Sequence, residues 1–256
     1  MKHLRTIPLT AAVSALVPGT MLAARPDKAP ESAENPDHIN FVLINLDDAG
    51  LGDFSYTGAV NYKTPNIDRL AGEGMRFTNF YAVQPISGAS RAGLLTGCYP
   101  NRIGFAHAPS PGCPYGINDS EETIAEVLKK RDYATAIFGK WHLGDAEKFL
   151  PLQHGFDRWY GLPYSNDMWP HHPQTSSYPP LPLYEGRKVV NPSVSAADQA
   201  QLTTRYTEHA VDFITRRSEG PFFLYLAHSM PHVPLFVSDL SLIHISEPTR
   251  PEHLVC

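Results

Sequence analysis

The chain has 256 residues, a formal net charge of −5 and no run of basic residues. This length can bury a full core, and the acidic balance argues against a nucleic-acid-binding protein. Three cysteines form no disulfide framework and no zinc-site spacing, although an exported protein could pair Cys98 with Cys113.

The first 24 residues resemble a signal peptide. A charged start precedes a mostly apolar stretch over residues 7–24, which ends in small residues suited to cleavage. A transmembrane anchor is the alternative, but proline and glycine interrupt the apolar run, so we expect no stable membrane insertion. Residues 25–39 are polar and proline-rich and predict a linker. We therefore expect an exported protein, periplasmic or secreted.

An apolar run opens the folded part of the chain. Asn40 to Leu46 predicts a strand buried on both faces, and it ends in the adjacent carboxylates Asp47 and Asp48. Two neighbouring carboxylates repel each other, so they need either a solvated turn or a hard cation such as Ca²⁺ or Mg²⁺. These residues alone leave both interpretations open.

A small-residue stretch follows a predicted helix over residues 67–74. We expect Ser90 to cap a short helix that ends at Gly97, which places Ser87 just before a helix N-terminus. Such a position favours an anion, and Arg91 can add a fixed positive charge there. A solvated Ser/Gly turn with a surface arginine is the alternative.

The middle of the chain predicts a helix and then a strand. Acidic residues over 119–122 are typical of a helix start, and residues 133–138 have the pattern of a strand. Lys140 and His142 follow this strand directly. The two residues are two positions apart, so in an extended chain their side chains point to the same side.

The last third predicts a loop-rich region, a helix and a strand. Residues 151–192 show little periodicity, residues 203–217 predict a helix, and residues 222–227 predict a strand that leads to His228 and His232. The buried stripe of the helix is predicted to be Tyr206, Ala210, Val211 and Ile214.

Strands alternating with helices predict an α/β fold with a mostly parallel central sheet flanked by helices. Each strand is followed by ionisable residues. Because ligands of such sheets bind beyond the carboxyl ends of the strands, we expect these residues to converge.

Four ordered motifs resemble the sulfatases of the alkaline-phosphatase superfamily, close to the arylsulfatase A type. They are the Leu-Asp-Asp-Ala-Gly strand end, Ser-Gly-Ala-Ser-Arg ending in Thr-Gly, Gly-Lys-Trp-His-Leu-Gly, and Pro-His-Val-Pro. The resemblance runs from about Asn40 to Asp239. It implies hydrolysis of sulfate esters on a sulfated small molecule or glycan.

The resemblance implies a modified residue and a metal. Ser87 matches the residue that is oxidised to formylglycine, whose hydrate attacks sulfur with one oxygen and expels sulfate with the other. Asp47 and Asp48 match ligands of a Ca²⁺ that also contacts residue 87. A serine at this position implies a formylglycine-generating maturase that acts before export, typically in anaerobic bacteria.

The same resemblance implies roles for four further residues. Arg91 would steady the hydrate, Lys140 would bind a sulfate oxygen, and His142 would help eliminate sulfate. His232 matches the histidine that contacts sulfate and assists the leaving oxygen. A phosphatase or phosphodiesterase with unmodified serine, and a non-catalytic remnant, are the alternative functions.

The C-terminal residues from Leu240 to Arg250 resemble a translated sequencing adapter. We therefore expect residues 240–256 to be a non-native tail and residues 40–239 to be the N-terminal part of a sulfatase catalytic domain. In the family, a second pair of metal ligands, Asp-Asn, and a further lysine that binds substrate would lie after residue 239. The chain alone is then predicted to be poorly stable and inactive.

Overall fold

The computed structural model describes residues 39–217, 220–239 and 241. The predicted signal peptide, the linker up to residue 38 and nearly all of the predicted tail lie outside these residues. None of the described helices is both long and apolar enough to cross a membrane.

Six strands form one sheet. They are β1 (Phe41–Asn45), β2 (Ala134–Gly139), β3 (Arg158–Gly161), β4 (Leu183–Glu185), β5 (Lys188–Asn191) and β6 (Phe222–Ala227). Their order across the sheet is β1-β6-β2-β3-β4-β5. The first four in this order are parallel, and β4 and β5 add an antiparallel hairpin. The predicted mostly parallel α/β sheet is confirmed.

Four α-helices accompany the sheet: α1 (Pro65–Glu73), α2 (Ser87–Thr96), α3 (Ile124–Lys129) and α4 (Ala196–Arg216). Short 3₁₀ turns span Leu51–Asp53, Ser55–Thr57, Glu147–Phe149 and Pro151–Gln153. Thr123 and Ser195 cap α3 and α4 by accepting a hydrogen bond from the backbone three residues on. The Ser195 cap explains why α4 starts seven residues before the predicted helix.

Strand β6 lies at the centre of the core. Its alternate residues Phe222, Leu224 and Leu226 pack against α4, and Phe223, Tyr225 and Ala227 face the side of α2 and α3. All six are buried. Helices therefore cover both faces of the sheet, as the predicted α/β fold with flanking helices requires.

Strand β1 is not buried on both faces, so that prediction is wrong. It pairs only with β6 among the described strands, and the side chains of Val42 and Ile44 are 46% and 52% exposed. The apolar run correctly predicted a strand. It could not distinguish a central strand from an edge strand, because that difference depends on what packs beside it.

Two further predictions need correction. Residues 151–192 are not only loops, because they contain β3, β4 and β5, which at three or four residues are too short to show a periodic pattern. In α4, Tyr206 and Ala210 are buried as predicted, but Val211 and Ile214 are 58% and 38% exposed. The buried stripe instead consists of Gln199, Leu202, Tyr206, Ala210 and Phe213.

Candidate active site

Helix α2 begins at Ser87 itself. The predicted cap at Ser90 is wrong, because Ser90 lies inside the helix and its backbone N–H donates to Ile86 O at 2.8 Å. Gly97 ends the helix as predicted, with φ at +68° and its N–H bonded to Gly93 O. Ser87 therefore lies at the positive end of the helix dipole, where an anion is stabilised.

Three polar side chains surround the Ser87 hydroxyl. Its Oγ lies 3.3 Å from Arg91 Nε, 3.4 Å from His142 Nδ1 and 3.5 Å from Asp47 Oδ1. These residues come from three separate parts of the sequence. The fold thus brings Asp47, Ser87, Arg91 and His142 together, as the predicted convergence of strand ends required.

A buried carboxylate lies between two cations behind Ser87. Asp47 Oδ2 is 2.5 Å from Lys140 Nζ, and its Oδ1 is 3.3 Å from Arg91 Nη2. Burial raises the pKa of Asp47, but Lys140 and Arg91 outweigh it and hold that pKa well below its usual range. Burial lowers the pKa of Lys140, and the charge of Asp47 opposes this shift. Two cations against one buried carboxylate leave a net positive charge beside Ser87.

Two residues that the sequence interpretation missed fix these cations. Tyr225 OH is 3.3 Å from Arg91 Nη1, which also donates to Lys140 O at 2.7 Å, and Ser165 Oγ is 2.9 Å from Lys140 Nζ. Tyr225 belongs to an apolar strand, where its phenol is the only polar side-chain group in residues 222–227. A single phenol in an apolar strand could have indicated a buried polar contact, whereas nothing in the sequence distinguishes Ser165 from other loop serines.

His142 adopts a left-handed backbone conformation, with φ at +63°, so the chain from Lys140 to His142 is not simply extended. Burial lowers the pKa of His142 well below its ordinary value, and the nearby cations Lys140 and Arg91 add to this. The imidazole is therefore neutral at pH 7.

Gly88 allows α2 to pack directly against the segment that carries His142. A Cβ at Gly88 would lie 2.7 Å from His107 O and 3.0 Å from His142 O. Only glycine fits this approach, which sets the distance between Ser87 and His142.

Asp48 and His232 form an outer pair. His232 Nε2 lies 3.6 Å from Asp48 Oδ2, and the Asp48 side chain is 62% exposed. No hydrogen bond or ion pair joins His232 to Ser87 in the part of the chain that the structure describes. His228, by contrast, is buried, and burial lowers its pKa to about 4. It is not part of the cluster.

The donor set at this site matches calcium in chemistry. The carboxylates of Asp47 and Asp48 and the oxygen of Ser87 are hard ligands of the kind that Ca²⁺ prefers. Among the described residues, however, no group of three or more His, Cys, Asp or Glu side chains could hold a metal ion. The described residues thus supply part of a six- to eight-oxygen shell.

The two cysteines among the described residues form no disulfide, since Cys98 and Cys113 are both free.

The fold and the site together define a class of protein. A net positive, buried cluster surrounds a hydroxyl at the carboxyl ends of parallel strands and at a helix N-terminus. Such an arrangement suits an α/β protein that binds an anionic ester.

Comparison with known proteins identifies the family. The family model described as Sulfatase matches residues 39–241. The chain is 40% identical to N-acetylgalactosamine-6-sulfatase of Homo sapiens over 218 residues, which are 79% of this chain and 41% of that protein. The chain belongs to the sulfatase family, which confirms the resemblance.

Comparison with solved structures also finds sulfatases. The chain is similar to the PsFucS1 sulfatase from Pseudoalteromonas sp., with 30% identity and a TM-score of 0.73 over 82% of this chain and 47% of that one. It is also similar to Ps i-CgsB in complex with k-i-k-neocarrahexaose, with 32% identity and a TM-score of 0.71 over 84% and 50% of the two chains. The chain spans about two fifths of the length of the curated relatives it matches.

Proposed function

We propose that the protein containing this chain hydrolyses sulfate esters of glycans at Ser87. The observation that carries the proposal is the Ser87 hydroxyl, which has Arg91, His142 and Asp47 within 3.5 Å and the buried cation Lys140 behind them. A sulfate ester is an anion with tetrahedral oxygens. The positive charge of this cluster suits its binding and the charge that gathers on its oxygens during transfer.

We infer that Ser87 is oxidised to formylglycine and that Asp47, Asp48 and residue 87 hold a calcium ion. The hydrated aldehyde would supply the attacking oxygen, and the ion would supply positive charge. Among the chain's own residues, Lys140 neutralises Asp47 in the buried layer at 2.5 Å. This pairing keeps Asp47 ionised and therefore able to serve as a ligand.

Three residues of the chain have separate roles in binding charge and in transferring protons. Arg91 is held in place by Lys140 O and Tyr225 OH, so its guanidinium is fixed toward residue 87. The neutral imidazole of His142 faces the same oxygen at 3.4 Å and can hold a proton removed from it. We propose that His232, which lies 3.6 Å from Asp48 at the outer edge of the cluster, gives a proton to the leaving oxygen.

The glycan substrate class is supported by the relatives' names. N-acetylgalactosamine-6-sulfatase acts on a sulfated amino sugar by its name, and Ps i-CgsB was solved in complex with k-i-k-neocarrahexaose. We extend this class to the present protein.

We also propose the cellular setting. Residues 1–24 act as a signal peptide, residues 25–39 as a linker, and the protein is periplasmic or secreted. A formylglycine-generating maturase is its partner before export. Residues 240–256 are a non-native tail that contributes nothing to the site.

Mass spectrometry of the Ser87 peptide, from protein produced by its natural host, tests the modification. We expect a loss of two hydrogens. The same protein should hydrolyse aryl sulfate faster than aryl phosphate. Ser87→Ala should abolish sulfate release, whereas the control Ser120→Ala, at an exposed position outside the motifs, should retain it. An intact serine combined with preferential phosphate release would establish the phosphatase instead.

Thermal unfolding with and without added calcium tests the metal. Ca²⁺ at 100 times its dissociation constant should stabilise the protein from its natural host by about 2.7 kcal/mol. In that protein Asp48→Asn should lose most of this effect, and the exposed control Asp119→Asn should keep it. No stabilisation of the unsubstituted protein by calcium would contradict the assignment.

A further inference from the structure

The loop after β3 starts at the candidate active site. Ser165 Oγ lies 2.9 Å from Lys140 Nζ. The next residue, Asn166, is buried, donates from Nδ2 to Gln199 Oε1 at 3.0 Å, and accepts at its backbone oxygen from Gln199 Nε2 at 3.1 Å. Gln199 of helix α4 therefore holds this loop in place. Asp167 follows two residues after Ser165, and its negative charge acts on Lys140, where it opposes the lowering of the Lys140 pKa by burial.

Asp167 forms a pair with His172. Asp167 Oδ2 is 3.6 Å from His172 Nε2, and the two side chains are 21% and 15% exposed. His172 Nδ1 accepts from the backbone N–H of Gln174 at 3.1 Å. In the neutral ring the hydrogen is therefore assigned to Nε2, which faces Asp167. At 3.6 Å the two atoms are too far apart for a hydrogen bond, so the carboxylate and the N–H are both available to a ligand at this partly exposed position.

One oxygen of Asp167 lacks a donor. Its Oδ1 is buried and has no hydrogen-bond partner among the described residues. A buried acceptor without a donor is costly, so the carboxylate of Asp167 has unused capacity to accept hydrogen bonds. Tyr178 packs edge-on against His172, with ring centroids 5.2 Å apart, and adds an apolar surface beside the pair.

The chemistry of this pair suits sugar hydroxyls. A hydroxyl both donates and accepts, so it matches an adjacent carboxylate and imidazole N–H. The carboxylate also repels anions. A second sulfate at this position would bring two negative charges together, which disfavours a substrate sulfated on neighbouring carbons.

We propose that Asp167 and His172 bind the free hydroxyl next to the sulfated carbon of a sugar monosulfate. This inference rests on the proposed sulfatase function and narrows its substrate class. The pair determines specificity and does not act on sulfur. The pair selects sugars that carry one sulfate, and it disfavours sugars that carry a second sulfate on the adjacent carbon.

Calorimetric binding to the 256-residue chain, together with turnover by the protein from its natural host, tests this subsite. The probes are 4-nitrophenyl sulfate, which has no sugar hydroxyl, and monosulfates of galactose, N-acetylgalactosamine and N-acetylglucosamine. The sugar that binds most tightly is then compared with the same sugar carrying a second, neighbouring sulfate.

Asp167→Asn should weaken binding of the best sugar monosulfate by about 10- to 100-fold, the range for a hydrogen bond to a charged group. The loss for 4-nitrophenyl sulfate should be at least tenfold smaller. The disulfated sugar should gain relative to the monosulfate. His172→Ala should produce the same selective loss, and the exposed control Asp119→Asn should change neither probe.

Equal losses on both probes, or no loss on the sugar, would overturn the subsite. So would a protein that handles 4-nitrophenyl sulfate but binds no sugar monosulfate. Failure to handle any sulfate ester would contradict the proposed function instead. The two failures are therefore distinguishable.

Discussion

At the scale of single residues, the site depends on a carboxylate buried between two cations. Asp47 and Lys140 have side chains that are 6% and 0% exposed, and Arg91 is 2% exposed. Desolvating three charges is expensive, and only their close mutual pairing offsets the cost. The arrangement is therefore sensitive to the loss of any member.

Lys140→Met should lower the free energy of unfolding by about 3 kcal/mol, because it leaves Asp47 buried with only one cation. Urea unfolding measures the change. Lys129→Met is the matched control, since Lys129 pairs with Asp157 where their side chains are 52% and 36% exposed, and it should cost less than about 1 kcal/mol. Equal losses in the two variants would contradict the role of burial.

His228 predicts a pH dependence of stability. Its pKa is about 4 in the folded chain, against 6.5 as the ordinary value, because the ring is buried. Between these values the unfolded chain binds the extra proton, so stability falls as the pH falls from about 6.5 to about 4. The expected contribution is about 3 kcal/mol.

Urea unfolding of His228→Phe over the same pH range checks this. The variant lacks the proton uptake and should lose less stability on acidification than the unsubstituted chain. If both curves fall in parallel, His228 does not titrate in this way.

At the scale of elements, the contact between α2 and the segment after β2 determines the site. Gly88 lets the helix approach backbone atoms of His107 and His142. Because Ser87 and His142 are carried by these two elements, a change in their spacing moves both partners of the 3.4 Å contact.

Gly88→Ala should destabilise the chain by about 1–3 kcal/mol, because a Cβ there overlaps backbone rather than flexible side chains. It should also lower turnover by the protein from its natural host. Gly72→Ala in α1 is the control. Nothing lies within 4 Å of its added Cβ, so it should be neutral or stabilising by up to about 1 kcal/mol. Denaturation midpoints compare the two, and a stable Gly88→Ala chain would contradict the close approach.

At the scale of the whole molecule, the described sheet is covered unevenly. Its centre is buried on both faces, whereas β1 lies at an edge with exposed apolar side chains. Large apolar side chains between β1 and α2 are also exposed, including Leu51, Val60, Met75, Phe77, Phe80 and Tyr81. Exposed apolar surface of this extent favours association.

Removal of residues 240–256 should leave the free energy of unfolding unchanged within about 0.5 kcal/mol, since we propose that this tail is not native. The measurement compares the 256-residue chain with one that ends at Asp239. A clear loss of stability on removal would show that the tail belongs to the fold.

The sequence by itself determined strands β2 and β6, the sulfatase motifs, and the expectation that the polar residues after the strands lie close together. The continuous apolar run in residues 222–227 and the polar residues after each strand are local signals, and parallel strands bring their carboxyl ends to one edge. Tertiary structure decided the exposure of β1, the short strands β3 to β5 and the start of α2 at Ser87. It also decided that Tyr225 and Ser165 hold Arg91 and Lys140. Burial and partner choice depend on residues distant in sequence, so no local pattern encodes them.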